Sequence, residues 1–164
     1  MPSVKPTQPK KVLEALSAPD TAFEGAIRGM VGYNLKRAYM VLHTAVQAAA
    51  APFDLRVSTI SCLSVIVRNP GITPSVLAER LKIERSNLVV ILDDLETRDL
   101  ICRKQMKTDR RRYELTVTVR GRRLHDLAAA AIREAEAERL RGLSAEEQTL
   151  LIDLLNKIET SAVE

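Results

Sequence analysis

Residues 107–121 read KTDRRRYELTVTVRG. Lys107, Arg110, Arg111 and Arg112 crowd around a single acid, Asp109. Apolar and polar residues then alternate from Tyr113 to Val119, and the stretch ends at Gly121. Alternation with a period of two is a strand signal, and a charged cluster ahead of it is a turn exposed to water. The stretch therefore predicts a β-hairpin whose tip carries the charge needed to meet a polyanion.

What precedes the hairpin narrows the polyanion. Asn69-Pro70-Gly71 breaks a helix predicted over residues 57–68. Thr73 is then placed to cap a short helix with Pro74 at its first position, where proline's missing N–H costs nothing. That helix ends near Leu81, and a further helix is predicted over residues 85–98. Its Leu88, Ile91, Leu92 and Leu95 follow i, i+3, i+4, i+7 spacing. Strands over 101–105 and 112–118 complete the hairpin. A short helix, a tight turn, a second helix and a basic hairpin make a winged helix-turn-helix, and the expected partner is double-stranded DNA.

The charge distribution agrees. The net formal charge is only +4, yet residues 98–123 hold ten Lys/Arg against three Asp/Glu, leaving the rest of the chain slightly acidic. One basic segment in such a chain reads as a docking surface. At 164 residues, with scarce glycine and few aromatics, the chain suits a mainly α domain with a small β-wing. The N-terminus, MPSVKPTQPKK, lacks the apolar stretch of a secretory signal, and no apolar run approaches the ~20 residues of a membrane span. A cytoplasmic protein is expected, with no membrane partner.

Long helices flank the lobe. Val31, Leu35, Ala38, Leu42, Ala45 and Ala49 recur in steps of four and three, a seam made for another helix. Helices are also predicted over residues 120–141 and 144–160. Ser144 and Glu147 form a capping box for the last, which carries Leu150, Leu151, Leu154, Leu155 and Ile158. These stripes exceed what a small central lobe can cover, so a homodimer is expected. The predicted organisation is a flexible arm (1–19), an N-terminal dimerisation helix (20–54), the DNA-binding lobe (55–121) and C-terminal dimerisation helices (122–164).

At about 100° per residue, Ser86, Asn87 and Val90 point away from the Leu88–Leu95 side of their helix. Ser86 and Asn87 are short polar groups near the helix start, and asparagine pairs bidentately with adenine. An outward valine suits a thymine methyl. Asp93 and Asp94 also point outward and would repel phosphates, so only the first half of the helix is expected to enter the groove. Asp109 has a role if it fixes the Arg111 guanidinium, since a held arginine suits a narrow minor groove. Ser75, Arg85, Lys107 and Arg110 join the expected DNA-contacting set.

The runs LAERLKIERSNLVVILDDLETRDLI and DRRRYELTVTVRG resemble the MarR family of bacterial transcriptional regulators. That family has Asp-x-Arg at the wing tip and Leu-x-Leu-Thr-x-x-Gly into the next helix. Here the matching residues are Asp109, Arg111, Leu115, Val117, Thr118 and Gly121. The resemblance implies a two-fold dimer on a pseudo-palindrome, usually a repressor released by a small molecule. Three positions depart from the pattern. Asp99 stands where glycine ends the recognition helix, Val90 where a polar or basic residue is frequent, and Glu84 where serine often caps.

For an effector, Tyr39 and His43 lie one turn apart on the first long helix, with Arg37 or Arg56 as a counter-charge for an aromatic acid or its CoA thioester. The alternatives are a redox-responsive regulator using Cys102 or Cys62, and a helical interaction protein whose basic hairpin binds an acidic partner. His43 and His125 are too few and too far apart in sequence for a metal site, and no nucleophile–base pair or phosphate loop suggests an enzyme. Neither a cofactor nor a catalytic residue is expected.

Overall fold

The structure, a computed structural model, describes residues 25–105 and 112–161. The chain divides into two compact units, residues 1–40 and 41–164. The expected arm, the first residues of the helix expected over 20–54, and the wing-tip residues Lys107, Asp109, Arg110 and Arg111 lie outside the described residues.

In the first unit a 3-10 turn, Gly25–Gly29, leads into α1 (Val31–Ala50), whose C-terminal part belongs to the second unit. Asn34 closes this turn. Its Nδ2 donates to the carbonyls of Arg28 at 2.7 Å and Met30 at 2.9 Å.

The second unit contains the lobe. Pro52 opens a 3-10 turn, Ala51–Phe53, and Asp54 follows with φ of 53°. Then come α2 (Val57–Arg68), α3 (Pro74–Leu81), α4 (Arg85–Thr97), β1 (Ile101–Gln105), β2 (Tyr113–Val117), α5 (Val119–Leu140) and α6 (Ala145–Ser161). From α2 to α6 each described element lies within a residue or two of its sequence-based expectation, whereas α1 is shorter than the helix expected over 20–54 and is flanked by two 3-10 turns. The signals behind several boundaries are visible. Thr73 Oγ1 accepts from Val76 N at the start of α3. Ser144 N donates to Glu147 Oε2 at 2.7 Å, and Glu147 N donates back to Ser144 Oγ at 3.2 Å. Glu84 sits at the N-cap of α4 but makes no side-chain cap bond, so its contribution is limited to the helix dipole.

One core joins the lobe. Cys62, Leu63 and Ile66 of α2 meet Leu77 of α3, Leu88, Leu92 and Leu95 of α4, and Ile101 and Leu115 of the two strands. The strands pair antiparallel, with Ile101 opposite Val117 and Arg103 opposite Leu115. Ile72 adds a bridge to Leu115, tying the α2–α3 turn to the wing. A smaller cluster of Ala50, Leu55, Ile60 and Ala128 packs the end of α1 and the start of α2 against α5.

The base of the wing shows why the Leu-x-Leu-Thr-x-x-Gly pattern exists. Asp99 turns the chain out of α4 with φ of 56°, a left-handed conformation that aspartate tolerates better than most residues. Thr118 then works three ways. Its N–H donates to Leu100 O at 3.1 Å, its hydroxyl donates to Asp99 O at 2.7 Å, and the same oxygen accepts from Gly121 N at 2.9 Å. Gly121 lies so close to β1 that a Cβ on it would fall 1.9 Å from Leu100 O.

Candidate nucleic-acid interface

The outer face of α4 is built by contrast with its inner one. Leu88, Leu92 and Leu95 are buried and fix the helix on the core, so Ser86, Asn87 and Val90 face solvent. Val90 is 69% exposed and Val89 53%. A valine so exposed is free to meet an apolar base edge. Arg85 and Ser75 are exposed at the first turns of α4 and α3. The five expected contacts at Ser75, Arg85, Ser86, Asn87 and Val90 are therefore all solvent-facing.

The acids of α4 behave differently from expectation. Asp93 and Asp94 do point outward, but both have basic partners. Arg103 of β1 donates from Nη2 to Asp93 Oδ1 in a short hydrogen bond. Its Nε lies 3.4 Å from Glu96 Oε2, close enough for ion pairing though not aligned for a hydrogen bond. Glu96 Oε1 also accepts from the Arg103 backbone N–H at 3.3 Å. Asp94 pairs with Arg98 at 3.3 Å. Charge that would repel phosphate is thus offset within the lobe, and the Arg103 clamp ties β1 to α4. Sequence reading missed this clamp. Its signal was present: two acids three residues apart on α4, and an arginine in the strand that follows.

Arg103→Met tests the clamp. It is expected to lower stability by only about 0.5–1 kcal/mol, since the ion pairs are partly solvated. Duplex affinity should fall by about tenfold, because two released carboxylates then face phosphates. Fluorescence anisotropy beside a thermal melt checks this. Unchanged affinity would show that the clamp does not serve DNA binding.

Arg98 anchors the other end of α4. Its Nη1 donates to Asp54 O at 2.7 Å and its Nη2 to Phe53 O at 3.1 Å. Beside it, Asp54, Arg56, Ser58, Thr59, Val90, Ile91, Asp94 and Arg98 line a cleft of about 270 Å³ between the first turn of α2 and the flank of α4.

The residues expected to meet an effector fall in both units. In the first, Arg37 lies against Tyr33, with Nη1 3.4 Å from the phenol oxygen, and Tyr39 is exposed. In the second, His43 is half-buried and Arg56 lines the cleft just described. The cysteines separate cleanly. Cys62 is in the core, and burial pushes its thiol up to about 11, so it is not a reactive thiolate near neutral pH. Cys102 is exposed, with Sγ 2.9 Å from Thr116 Oγ1. A redox reading is therefore left with Cys102 alone.

Known proteins of similar sequence and fold carry this further. The profile of the MarR family matches residues 53–112. The HTH-type transcriptional repressor Rv2887 of Mycobacterium tuberculosis is 30% identical over 128 residues, covering 78% of this chain and 92% of the relative. A putative transcriptional regulatory protein for the hcr operon of Thauera aromatica is 30% identical over 142 residues, covering 82% of this chain and 81% of the relative. The transcriptional repressor CouR bound to a 23-mer DNA duplex superposes with a TM-score of 0.79 at 30% identity, over 83% of this chain and 96% of that one. CouR from Rhodococcus jostii RHA1 bound to p-coumaroyl-CoA gives 0.72 at 26% identity, over 85% and 96%.

Proposed function

The chain belongs to the MarR family of transcriptional regulators, and on that premise we propose that it is a homodimeric repressor released from a pseudo-palindromic operator by an aromatic acid or its CoA thioester. The observation that carries the DNA-binding part is the outer face of α4: Ser86, Asn87 and Val90 exposed over a buried leucine backing. In the major groove these side chains read base edges while the basic wing meets phosphate or minor groove. The relatives solved on DNA support this reading over a protein-binding hairpin. The protein acts as a regulator rather than an enzyme, in the cytoplasm where bacterial DNA lies.

Footprinting on the promoter region beside the chain's own gene tests it. Two protected half-sites about one helical turn apart are expected, with affinity falling steeply as salt rises. Protection of a single asymmetric site would overturn the two-fold reading.

The dimer rests on α6. Leu150, Leu151, Leu154, Leu155 and Ile158 share one side of it and are all exposed, at 58%, 38%, 47%, 36% and 51%. An apolar stripe of that length on a terminal helix calls for a partner. Light scattering should report about 36 kDa, twice the 18.2 kDa chain. A monomer at all concentrations would sink the palindrome.

For the effector, the supporting observation is that CouR binds p-coumaroyl-CoA and Rv2887 binds salicylic acid. Aromatic acids and their CoA thioesters are the set to screen by thermal shift, and the true effector must also lower duplex affinity. Tyr39 and His43, one turn apart on α1, are the first residues to substitute.

A further inference from the structure

Val89 and Val90 are adjacent on α4, and both stand in solvent, at 53% and 69% exposure. Neither placement helps the fold. A β-branched side chain loses rotamer freedom in a helix, so valine at an exposed helix position is a poorer choice than leucine, lysine or glutamate. An exposed valine also gains little of the burial that holds Leu88, Leu92 and Leu95 inside. Two such residues in a row therefore ask for a surface outside the lobe.

Their surroundings select that surface. From Arg85 to Ile91 the helix carries no acid. The acids of its second half are engaged, Asp93 and Glu96 by Arg103 and Asp94 by Arg98. The first half thus presents an apolar pair beside Ser86 and Asn87, with one cation, Arg85. Of the four bases, thymine alone offers the major groove a methyl group, beside its O4 acceptor. The two valines look to different flanks, since neighbours in a helix are about 100° apart. Val90 lies one turn before Asp94, and both line the cleft shared with α2. Val89 lies two turns before Glu96, on the stripe that Arg103 of β1 meets. One valine is on the α2 side and the other on the wing side.

We propose that Val89 is a second base-reading residue: it packs on the 5-methyl group of a thymine on the wing side of α4, while Val90 packs on that of another thymine on the α2 side. The proposal rests on the DNA-binding reading of α4. Each half-site is then recognised through two methyl groups, with Ser86 and Asn87 left for hydrogen bonds to base edges. Apolar contact discriminates by removing both partners from water, so it adds sequence preference without adding salt dependence.

The test uses the full-length protein and the promoter duplex, with deoxyuridine replacing thymine at one position at a time in a protected half-site. Deoxyuridine keeps the pairing and the O4 acceptor and removes only the methyl. Two thymines per half-site are expected at which this replacement weakens binding about fourfold, the value for one buried methyl-sized group. Val89→Ala should weaken binding to the unmodified duplex by a similar factor and abolish the deoxyuridine effect at one of these thymines. Val90→Ala should do so at the other. The slope of log affinity against log salt should stay at its wild-type value in both, and the melt of Val89→Ala should be unchanged or slightly raised. Retention of every deoxyuridine effect in Val89→Ala, with the wild-type protein binding the duplex normally, would overturn the second reader and leave the α4 reading intact. A loss in Val89→Ala spread equally over all duplexes would do the same. A wild-type protein that binds no promoter duplex would overturn both.

Discussion

Gly121→Ala is expected to lower the melting temperature by about 10 °C, corresponding to a loss of about 3 kcal/mol or more. The added methyl would sit 1.9 Å from Leu100 O and 2.7 Å from Leu100 C. Both are backbone atoms, so no side-chain rotation relieves the clash. Leu100 and Ile101 are 1% and 2% exposed, so β1 cannot retreat without breaking the core. The remaining route is to lift α5 away, which stretches the bond from Gly121 N to Thr118 Oγ1 and with it the hold on Asp99 O. Overpacking against a fixed backbone is among the few mechanisms that yield losses of this size. Gly32→Ala is the control. A methyl added there would meet nothing within 4 Å, and Gly32 stands in α1, so its melt should be unchanged or slightly raised. A Gly121→Ala melt within about 2 °C of wild type would show that the α5 start adjusts more easily than its contacts imply.

Val90→Asp is expected to abolish duplex binding, by about a hundredfold or more, while leaving the melt within about 2 °C of wild type. Val90 is 69% exposed, so folding does not depend on its burial. Asp93 and Asp94 already engage Arg103 and Arg98. Within the groove an acid at this position would meet phosphate and base acceptors with its negative charge, and like-charge juxtaposition costs several kcal/mol. Val90→Ala is the milder partner, expected to cost several-fold at one thymine-containing step only. Equal loss on every sequence for Val90→Ala would deny it a base-reading role. Tight binding by Val90→Asp would remove α4 from the groove.

The elements were legible because local signals agreed with the global arrangement. Thr73-Pro74, Ser144 with Glu147 and the Asn69-Pro70-Gly71 break each name a boundary through backbone chemistry that needs no tertiary partner. The outward face of α4 was legible for the same reason: once Leu88, Leu92 and Leu95 define the inside, Ser86, Asn87 and Val90 can only be outside. Contacts between elements were not. The partner of Asp93 comes from β1, and nothing in a single helix says which charge it will meet there, whereas the Asp94–Arg98 pair has the i, i+4 spacing of a local signal. Gly121 stood out in sequence as part of a pattern, but the close approach to Leu100 that demands it is a fact of three dimensions.

Arg98 leaves a consequence for how the protein lets go of DNA. One guanidinium joins the C-terminal end of α4 to the carbonyls of Phe53 and Asp54, in the short segment that follows α1. The pose of the reading helix is therefore a function of the pose of that segment. A displacement of residues 51–54 must either carry α4 along or break two charge-assisted hydrogen bonds, so the two move as one body for any small disturbance. A stimulus acting on the end of α1 needs no chain of relays to reach the groove. It needs only to favour one placement of a single arginine over another, and the difference in free energy between those placements sets the ceiling on how strongly any signal can switch the protein.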